Sequence, residues 1–182
     1  EEVSDLNELS EHPEEYYTPI SEVEASSVIV QNSIIAWNDD ESVEMLNGMI
    51  DVVANGRSLV SPRCFDNVRM LWDYLLTMVA QYIEEGQAKV YFPDQPIVVS
   101  LQRQGQGTVE FQIDDQFVTI DEKQCLTAIL QAAEQFFTLL NEVSTDKYSL
   151  LLEQIKAMQN QVLTPLAVQP ILQVQVQRTL AN

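Results

Sequence analysis

The sequence has few of the residues on which most enzyme active sites are built. Its 182 residues include one histidine, two cysteines and five glycines, and the glycines form neither a dinucleotide-binding fingerprint nor a phosphate-binding loop. One histidine and two separated cysteines do not give the ligand spacing of a zinc site. His12 lies in an acidic stretch, where we expect a solvated side chain rather than a positioned base. We therefore expect no enzymatic activity and no cofactor, with an unfamiliar carboxylate-based active site as the alternative.

Long apolar runs are also missing. No stretch approaches the roughly 18 consecutive apolar residues of a membrane span, and the N-terminal residues lack the basic and apolar regions of a signal peptide. The chain begins with Glu1 rather than Met, which weakens the argument from a missing signal because an upstream segment can precede it. On these grounds we expect a soluble protein of the cytoplasm.

Basic residues are scarce. The chain has 9 Lys and Arg residues against 28 Asp and Glu residues, and 9 − 28 gives a formal charge of −19. A surface of this charge repels phosphate backbones and anionic lipid headgroups. We therefore expect a basic protein partner, and no direct binding to nucleic acid or to a membrane.

The charge and the composition divide the chain into three parts. Residues 1–25 contain nine acidic and no basic residues, so they hold −9 and the other 157 residues hold −10. Such a stretch buries too little apolar surface to offset its ordering entropy, which predicts a flexible acidic arm over residues 1–25. The chain is 46% hydrophobic, enough for one core. We place that core in a single α+β domain over residues 26–162, followed by a Gln/Val-rich C-terminal segment over residues 163–182.

Apolar residues recur with the helical period in four segments. The predicted helices cover residues 40–53, 61–86, 121–140 and 145–158. Asn55-Gly56 indicates the end of the first, and Ser61 before Pro62 indicates the start of the second. Asp121 with Gln124 forms a capping box, and Thr145 caps the last helix. Cys64 and Cys125 fall in two of these helical patterns, which favours small buried side chains over a disulfide.

Between residues 89 and 120 the period changes to two, as in strands with one buried face. Turn residues at 93–96, 105–107 and 114–115 separate four apolar runs, and such short links predict an antiparallel meander. Residues 27–38 predict one bent strand or a hairpin. The predicted fold is α+β, with three to five strands packed against about four helices in the order β-α-α-β-β-β-α-α. The apolar runs are Val90 and Phe92; Ile97, Val99 and Leu101; Val109, Phe111 and Ile113; and Phe117 and Ile120.

The C-terminal segment alternates Leu172, Val174 and Val176 with glutamines. Alternation of this kind predicts a strand, which would either close an edge of the meander or pair with another chain and so make a homo-oligomer. A loose helix or a disordered tail is the competing interpretation.

Exposed acidic and aromatic residues are the candidates for binding a partner. In the arm, Glu14 and Glu15 precede Tyr16 and Tyr17, a pattern suited to ordering against another protein, although the more usual interpretation is an ordinary solvated tail. Tyr91 alternates away from Val90 and lies near Asp94 on a stiff proline corner. The predicted partner-binding residues are Glu14, Glu15, Tyr16, Tyr17, Tyr91, Asp94, Asp114 and Asp115.

Two functions follow from these patterns. The first is a non-enzymatic acidic binding protein, of the immunity or inhibitor type, that neutralises or regulates a basic protein. The second is a structural or assembly subunit that docks neighbouring chains through its terminal segments.

Overall fold

Strands and helices alternate in blocks along the part of the chain that the structure describes. The structure is a computed structural model, and it describes residues 46–60, 64–143 and 146–164. The elements, in chain order, are β1 Asn47–Gly48, β2 Val53–Ala54, β3 Arg57–Ser58, β4 Asp66–Asn67, α1 Val68–Glu85, β5 Gln87–Tyr91, β6 Val98–Gly105, β7 Thr108–Ile113, β8 Gln116–Asp121, α2 Glu122–Val143 and α3 Ser149–Leu163.

The four long strands form an antiparallel sheet in the order β5-β6-β7-β8, which confirms the predicted meander and the α+β class. The links are those that the turn residues predict. Gln106 and Gly107 connect β6 to β7 with φ of 55° and 74°, the left-handed pair of a tight hairpin turn. Asp114, with φ of 52°, and Asp115 connect β7 to β8.

The helices cover one face of this sheet and form the core with it. Val99 and Leu101 of β6 and Val109, Phe111 and Ile113 of β7 are buried, as their alternation predicts. They pack with α1 and α2. Aromatic rings also connect α1 to α2 and α2 to the start of α3: the ring centroids of Trp72 and Phe136 lie 6.1 Å apart, and those of Phe137 and Tyr148 lie 5.3 Å apart. Burying each large apolar side chain contributes roughly 1.5–3 kcal/mol, so this one-sided packing is the main source of stability.

The predicted helix over residues 40–53 is wrong in its described part. Residues 46–54 hold β1 and β2, and β2 pairs with β3 across Asn55-Gly56. The φ values of Asn55 and Gly56 are 52° and 74°, so this dipeptide is a hairpin turn and not a helix end. The hairpin signal of Asn-Gly outweighs the helical spacing of the neighbouring apolar residues.

Helix α1 begins later than the sequence predicts. Phe65 precedes the helix, Asp66 and Asn67 pair with β1, and Ser61 and Pro62 lie outside the described residues. The buried Asn67 is the cap, because its side-chain oxygen accepts a hydrogen bond of 3.0 Å from the amide of Met70. The C-terminal end of α1 is as predicted: Gly86 adopts a φ of 76°, and its amide donates to the carbonyl of Tyr82.

The other helix boundaries follow the predictions in part. Asp121 caps α2, since its Oδ1 accepts a bond of 2.8 Å from the amide of Gln124. Tyr148 precedes α3 as a buried residue instead of lying within the helix, and Thr145 is outside the described residues. Cys125 is buried in α2, whereas Cys64 is half-buried and outside any helix. The described part of the chain thus contains three helices, against about four expected.

Helices and edge strands follow each other with almost no linker. Gly86 alone separates α1 from β5, and β8 ends at the residue before α2 begins. None of the helices in the described ranges is long and apolar enough to cross a membrane. The predicted arm over residues 1–25, the strand over residues 27–38 and the C-terminal segment from residue 165 onward lie outside the described residues.

The capping role of Asn67 is directly testable. We expect Asn67→Ala to lower the free energy of unfolding by about 1–2 kcal/mol, because the amide of Met70 loses its acceptor. Urea unfolding followed by circular dichroism measures the change. Asn67→Ser keeps a capping oxygen and should recover part of the loss. Equal losses for both variants would show that the cap bond does not contribute.

Candidate functional site

Four of the predicted partner-binding residues lie at one end of the sheet. Tyr91 ends β5 opposite Val98, the first residue of β6. The amide of Asp114 donates to the carbonyl of Val98 over 2.8 Å, which places the turn between β7 and β8 at this same end. We call Tyr91, Asp94, Asp114 and Asp115 the acidic end of the sheet. Residues more than twenty positions apart in sequence are brought together here by strand pairing alone.

All four side chains of the acidic end are solvent-accessible. Tyr91 is 52% exposed, and its outward position agrees with the alternation of β5. Asp94, Asp114 and Asp115 are exposed at the two turns. The ammonium of Lys89 lies 5.9 Å from the centre of the Tyr91 ring. The other four predicted residues, Glu14, Glu15, Tyr16 and Tyr17, lie outside the described residues.

Phe117 is a further residue of this region that the sequence prediction placed wrongly. It was expected among the inward apolar residues of β8, but it is 67% exposed and pairs with Gln112 on the outer face of the sheet. The half-buried residues of β8 are Gln116, Val118 and Ile120. Phe117 and Ile120 are three positions apart, and residues separated by an odd number of positions face opposite sides of a strand. The sequence alone could therefore have shown that only one of the two faces the core.

A buried carboxylate holds the proline corner of the acidic end in place. Asp66 is 4% exposed, and its two oxygens accept hydrogen bonds from the amides of Asn67, over 2.6 Å, and Asp94, over 3.0 Å. The side chain of Gln95 donates to the carbonyl of Phe65. These bonds tie the corner between β5 and β6 to β4, so the backbone at Asp94 is anchored while its side chain remains free to meet a partner.

The side chain of Asp115 takes part in a run of exposed hydrogen bonds. Its Oδ1 accepts a bond of 2.9 Å from the side chain of Gln116, whose own oxygen accepts a bond of 2.7 Å from Arg57 on β3. The hairpin formed by β2 and β3 therefore contacts the start of β8. Arg57 is a basic group beside the acidic end, and it engages a neutral amide rather than a carboxylate.

A second polar cluster lies at the opposite end of the sheet. Oε1 of Glu122 accepts bonds from the hydroxyl of Tyr82, over 3.0 Å, and from Nε and a terminal nitrogen of Arg103, over 3.0 and 2.7 Å. The guanidinium carbon of Arg103 lies 5.1 Å from the centre of the Tyr82 ring. The three residues come from α1, β6 and α2, so the cluster joins both helices to the sheet.

This cluster borders a cavity of about 260 Å³. Ile83, Leu126 and Val162 form the apolar part of its lining, and Lys123 and Thr164 are among the polar residues. Burial and the hydrogen bond to Glu122 raise the pKa of Tyr82 from 10.0 to about 12. The bond to Glu122 raises the pKa of Arg103. Near neutral pH the hydroxyl therefore keeps its proton and the guanidinium its charge, an arrangement suited to fastening the elements together rather than to exchanging protons.

The thiol of Cys125 lies in the core. Burial raises the pKa of the Cys125 thiol to about 12, which disfavours the nucleophilic thiolate. Within the described ranges, no group of three His, Cys, Asp or Glu side chains is arranged to hold a metal ion. The acidic end of the sheet is the better candidate site, because its exposed Tyr91 ring and its exposed carboxylates are suited to binding.

Comparisons with known protein families, with curated proteins and with solved structures find no match to this chain.

The Tyr82 hydroxyl should make stability depend on pH in the alkaline range. Its pKa is higher in the folded protein than in an unfolded chain, so its contribution is complete below pH 10 and is lost as the pH rises through about 12. We expect Tyr82→Phe to lower the free energy of unfolding by about 1 kcal/mol at pH 7. Chemical denaturation from pH 7 to 11 should show this difference shrinking above pH 10. Tyr74→Phe, at an exposed tyrosine of α1, is the control, and a pH-independent difference for Tyr82→Phe would contradict the assignment.

Asp66→Asn tests the anchor of the proline corner. Asparagine has one side-chain oxygen, so only one of the amides of Asn67 and Asp94 keeps an acceptor. We expect a loss of about 1–3 kcal/mol in urea unfolding. Asp94→Asn leaves the Asp94 amide bonded to Asp66 and should change stability little. No loss for Asp66→Asn, or a loss as large for Asp94→Asn, would contradict the assignment of the anchor to the Asp66 carboxylate.

Proposed function

We propose that this chain is a non-enzymatic binding protein that contacts a basic protein partner through the acidic end of its sheet. The proposal rests on one observation: the exposed Tyr91 and the exposed carboxylates of Asp94, Asp114 and Asp115 lie at the same end of the sheet. Each of these features is common alone. Their convergence on one anchored surface is what favours recognition of another molecule.

The size of this surface suits a protein rather than a small molecule. Four adjacent strands span about 14 Å at a spacing of about 4.8 Å, and Tyr91 and Phe117 lie on the two outermost strands at this end. Two exposed aromatic rings so placed can contact separate regions of one partner. Aromatic residues of this kind commonly supply a large share of binding energy at protein interfaces.

Charge supports a basic partner in particular. Carboxylates around an interface speed the encounter with a positively charged surface and reject acidic competitors. The chain as a whole carries −19, so long-range attraction acts in the same direction as the local groups. Carboxylates can also occupy a surface that binds phosphates, and this is the physical basis for proposing the inhibitor or immunity type of function.

An affinity experiment tests the proposed function: the full chain is immobilised, exposed to a cell lysate, and the proteins that it retains are identified. We expect a basic protein to be recovered at about 0.15 M salt and most of it to be lost at about 1 M salt, because screening weakens exposed charge pairs. Replacing Asp94, Asp114 and Asp115 together by Asn should lower the affinity for the recovered protein at least about tenfold. Titration calorimetry with the purified partner measures the change.

A matched control separates local recognition from total charge. Glu84, Glu142 and Glu153 are exposed on the helices, and changing all three to Gln removes the same number of charges. This control should bind almost as well as the wild type. Equal losses for both triple variants, or the recovery of an acidic partner, would contradict the proposal. A stable oligomer of the chain by light scattering, with no heterologous partner, would favour the assembly-subunit alternative.

A further inference from the structure

We propose that the open edge of β8 pairs with an extended segment of the basic partner, in which basic residues alternate with β-branched apolar residues. This inference rests on the function proposed above and adds the mode of recognition: the segment becomes a fifth strand of the sheet. Edge strands are suited to this because their outward N–H and C=O groups have no partner strand.

The backbone hydrogen bonds of the sheet show which backbone groups of β8 face outward. The amide of Asp114 donates to Val98 of β6, so the residues of β7 with even numbers direct their backbone groups toward β6 and those with odd numbers direct them toward β8. Phe111 and Ile113 are opposite Val118 and Gln116. Phe117 and Thr119 therefore direct their N–H and C=O groups away from β7.

This edge is open within the described part of the chain. None of the backbone hydrogen bonds outside the regular elements there reaches Phe117 or Thr119. The hairpin of β2 and β3 contacts the start of β8 through a hydrogen bond from the side chain of Arg57 to that of Gln116, and Gln116 lies on the half-buried face of β8. Within the described ranges, no backbone hydrogen bond joins this hairpin to the middle residues of β8.

The other edge of the sheet is protected in a way that β8 is not. The amide of Phe92 donates to Ile97, so Lys89 and Tyr91 direct their backbone groups outward along β5. Lys89 places a charge at the middle of that edge, a common means of discouraging strand addition. On β8 the residues from Phe117 to Ile120 carry no charge. Of the two edges, β8 is thus the one that favours pairing.

The side chains along β8 define the chemistry of the incoming strand. On the outer face, the exposed Phe117 ring can receive a Lys or Arg cation, and Asp115 and Asp121 place carboxylates at the two ends of the strand. On the inner face, Val118 and Ile120 are half-buried and leave apolar surface at the edge. A segment that alternates basic residues outward with Val or Thr inward complements both faces.

The test uses the full chain and a synthetic peptide of about eight residues in which Lys alternates with Val and Thr. Fluorescence anisotropy of the labelled peptide measures binding, and hydrogen exchange measures the protection of the Phe117 and Thr119 amides. We expect both amides to exchange fast in the chain alone and to become protected when the peptide binds. A peptide with Glu in place of Lys should not bind.

Thr119→Pro removes an N–H group that faces away from β7, so it breaks no hydrogen bond between β8 and β7. Thr119→Ala is the matched control, because it also removes the threonine side chain but keeps this N–H group. We expect Thr119→Pro to weaken peptide binding at least about tenfold and Thr119→Ala less than about twofold. Circular dichroism of both variants checks the fold, and the exchange measurement on the wild type gives the same answer without any substitution.

The outcomes separate this inference from the proposed function. Fast exchange of the Phe117 and Thr119 amides in the peptide complex, or equal binding by the Pro and Ala variants, would overturn the edge pairing. The triple Asp variant tested on the recovered partner would still decide whether the acidic end binds a basic protein. Protection of these amides in the chain alone would mean that a segment of this chain or a second copy occupies the edge, and the mass by light scattering would tell which.

Discussion

The packing of helices on one face of a four-stranded antiparallel sheet determines which side chains of that sheet face solvent. Once Val99, Leu101 and Phe111 face the helices, every second residue of the same strands must face solvent. The exposed positions of Tyr91 and Phe117 are consequences of this parity and not independent features. Because a shift of one residue would bury the polar face and expose the core, the register that creates the candidate site is also the register that stability requires.

The parts of the fold that could be predicted from sequence are those specified by local patterns. The period of two between residues 89 and 120, the turn residues at 106–107 and 114–115, and the stop at Gly86 each act over a few positions. The four strands, the two turns and the helix end are found where they were expected, and Phe117 is the residue of the pattern that faces the other side. The prediction of a helix over residues 40–53 is wrong for a reason that is also local. Its apolar spacing competes with the turn preference of Asn55-Gly56, and the pairing of β2 with β3 realises the turn.

The candidate site was predictable only in part, because its geometry depends on distant pairings. The exposure of Tyr91 and the turn at Asp114 follow from neighbouring residues. Asp66 and the Asp94 amide are hydrogen-bonded across 28 positions of sequence, and Tyr82 and Glu122 across 40. A periodic pattern within one sequence does not connect residues so far apart. In the sequence Asp66 is one acidic residue among many. Its burial, and its role as an anchor, exist only after β4 is paired and the sheet is in place.

The near absence of linkers between helices and edge strands has a mechanical consequence. Gly86 is the single residue between α1 and β5, and β8 continues directly into α2. Neither edge strand has slack to absorb a displacement, and the carboxylate of Glu122 clamps both helices to β6 close to these junctions. Because no loop lies between either edge strand and its neighbouring helix, a displacement of the edge strand at that junction has to move the end of the helix as well.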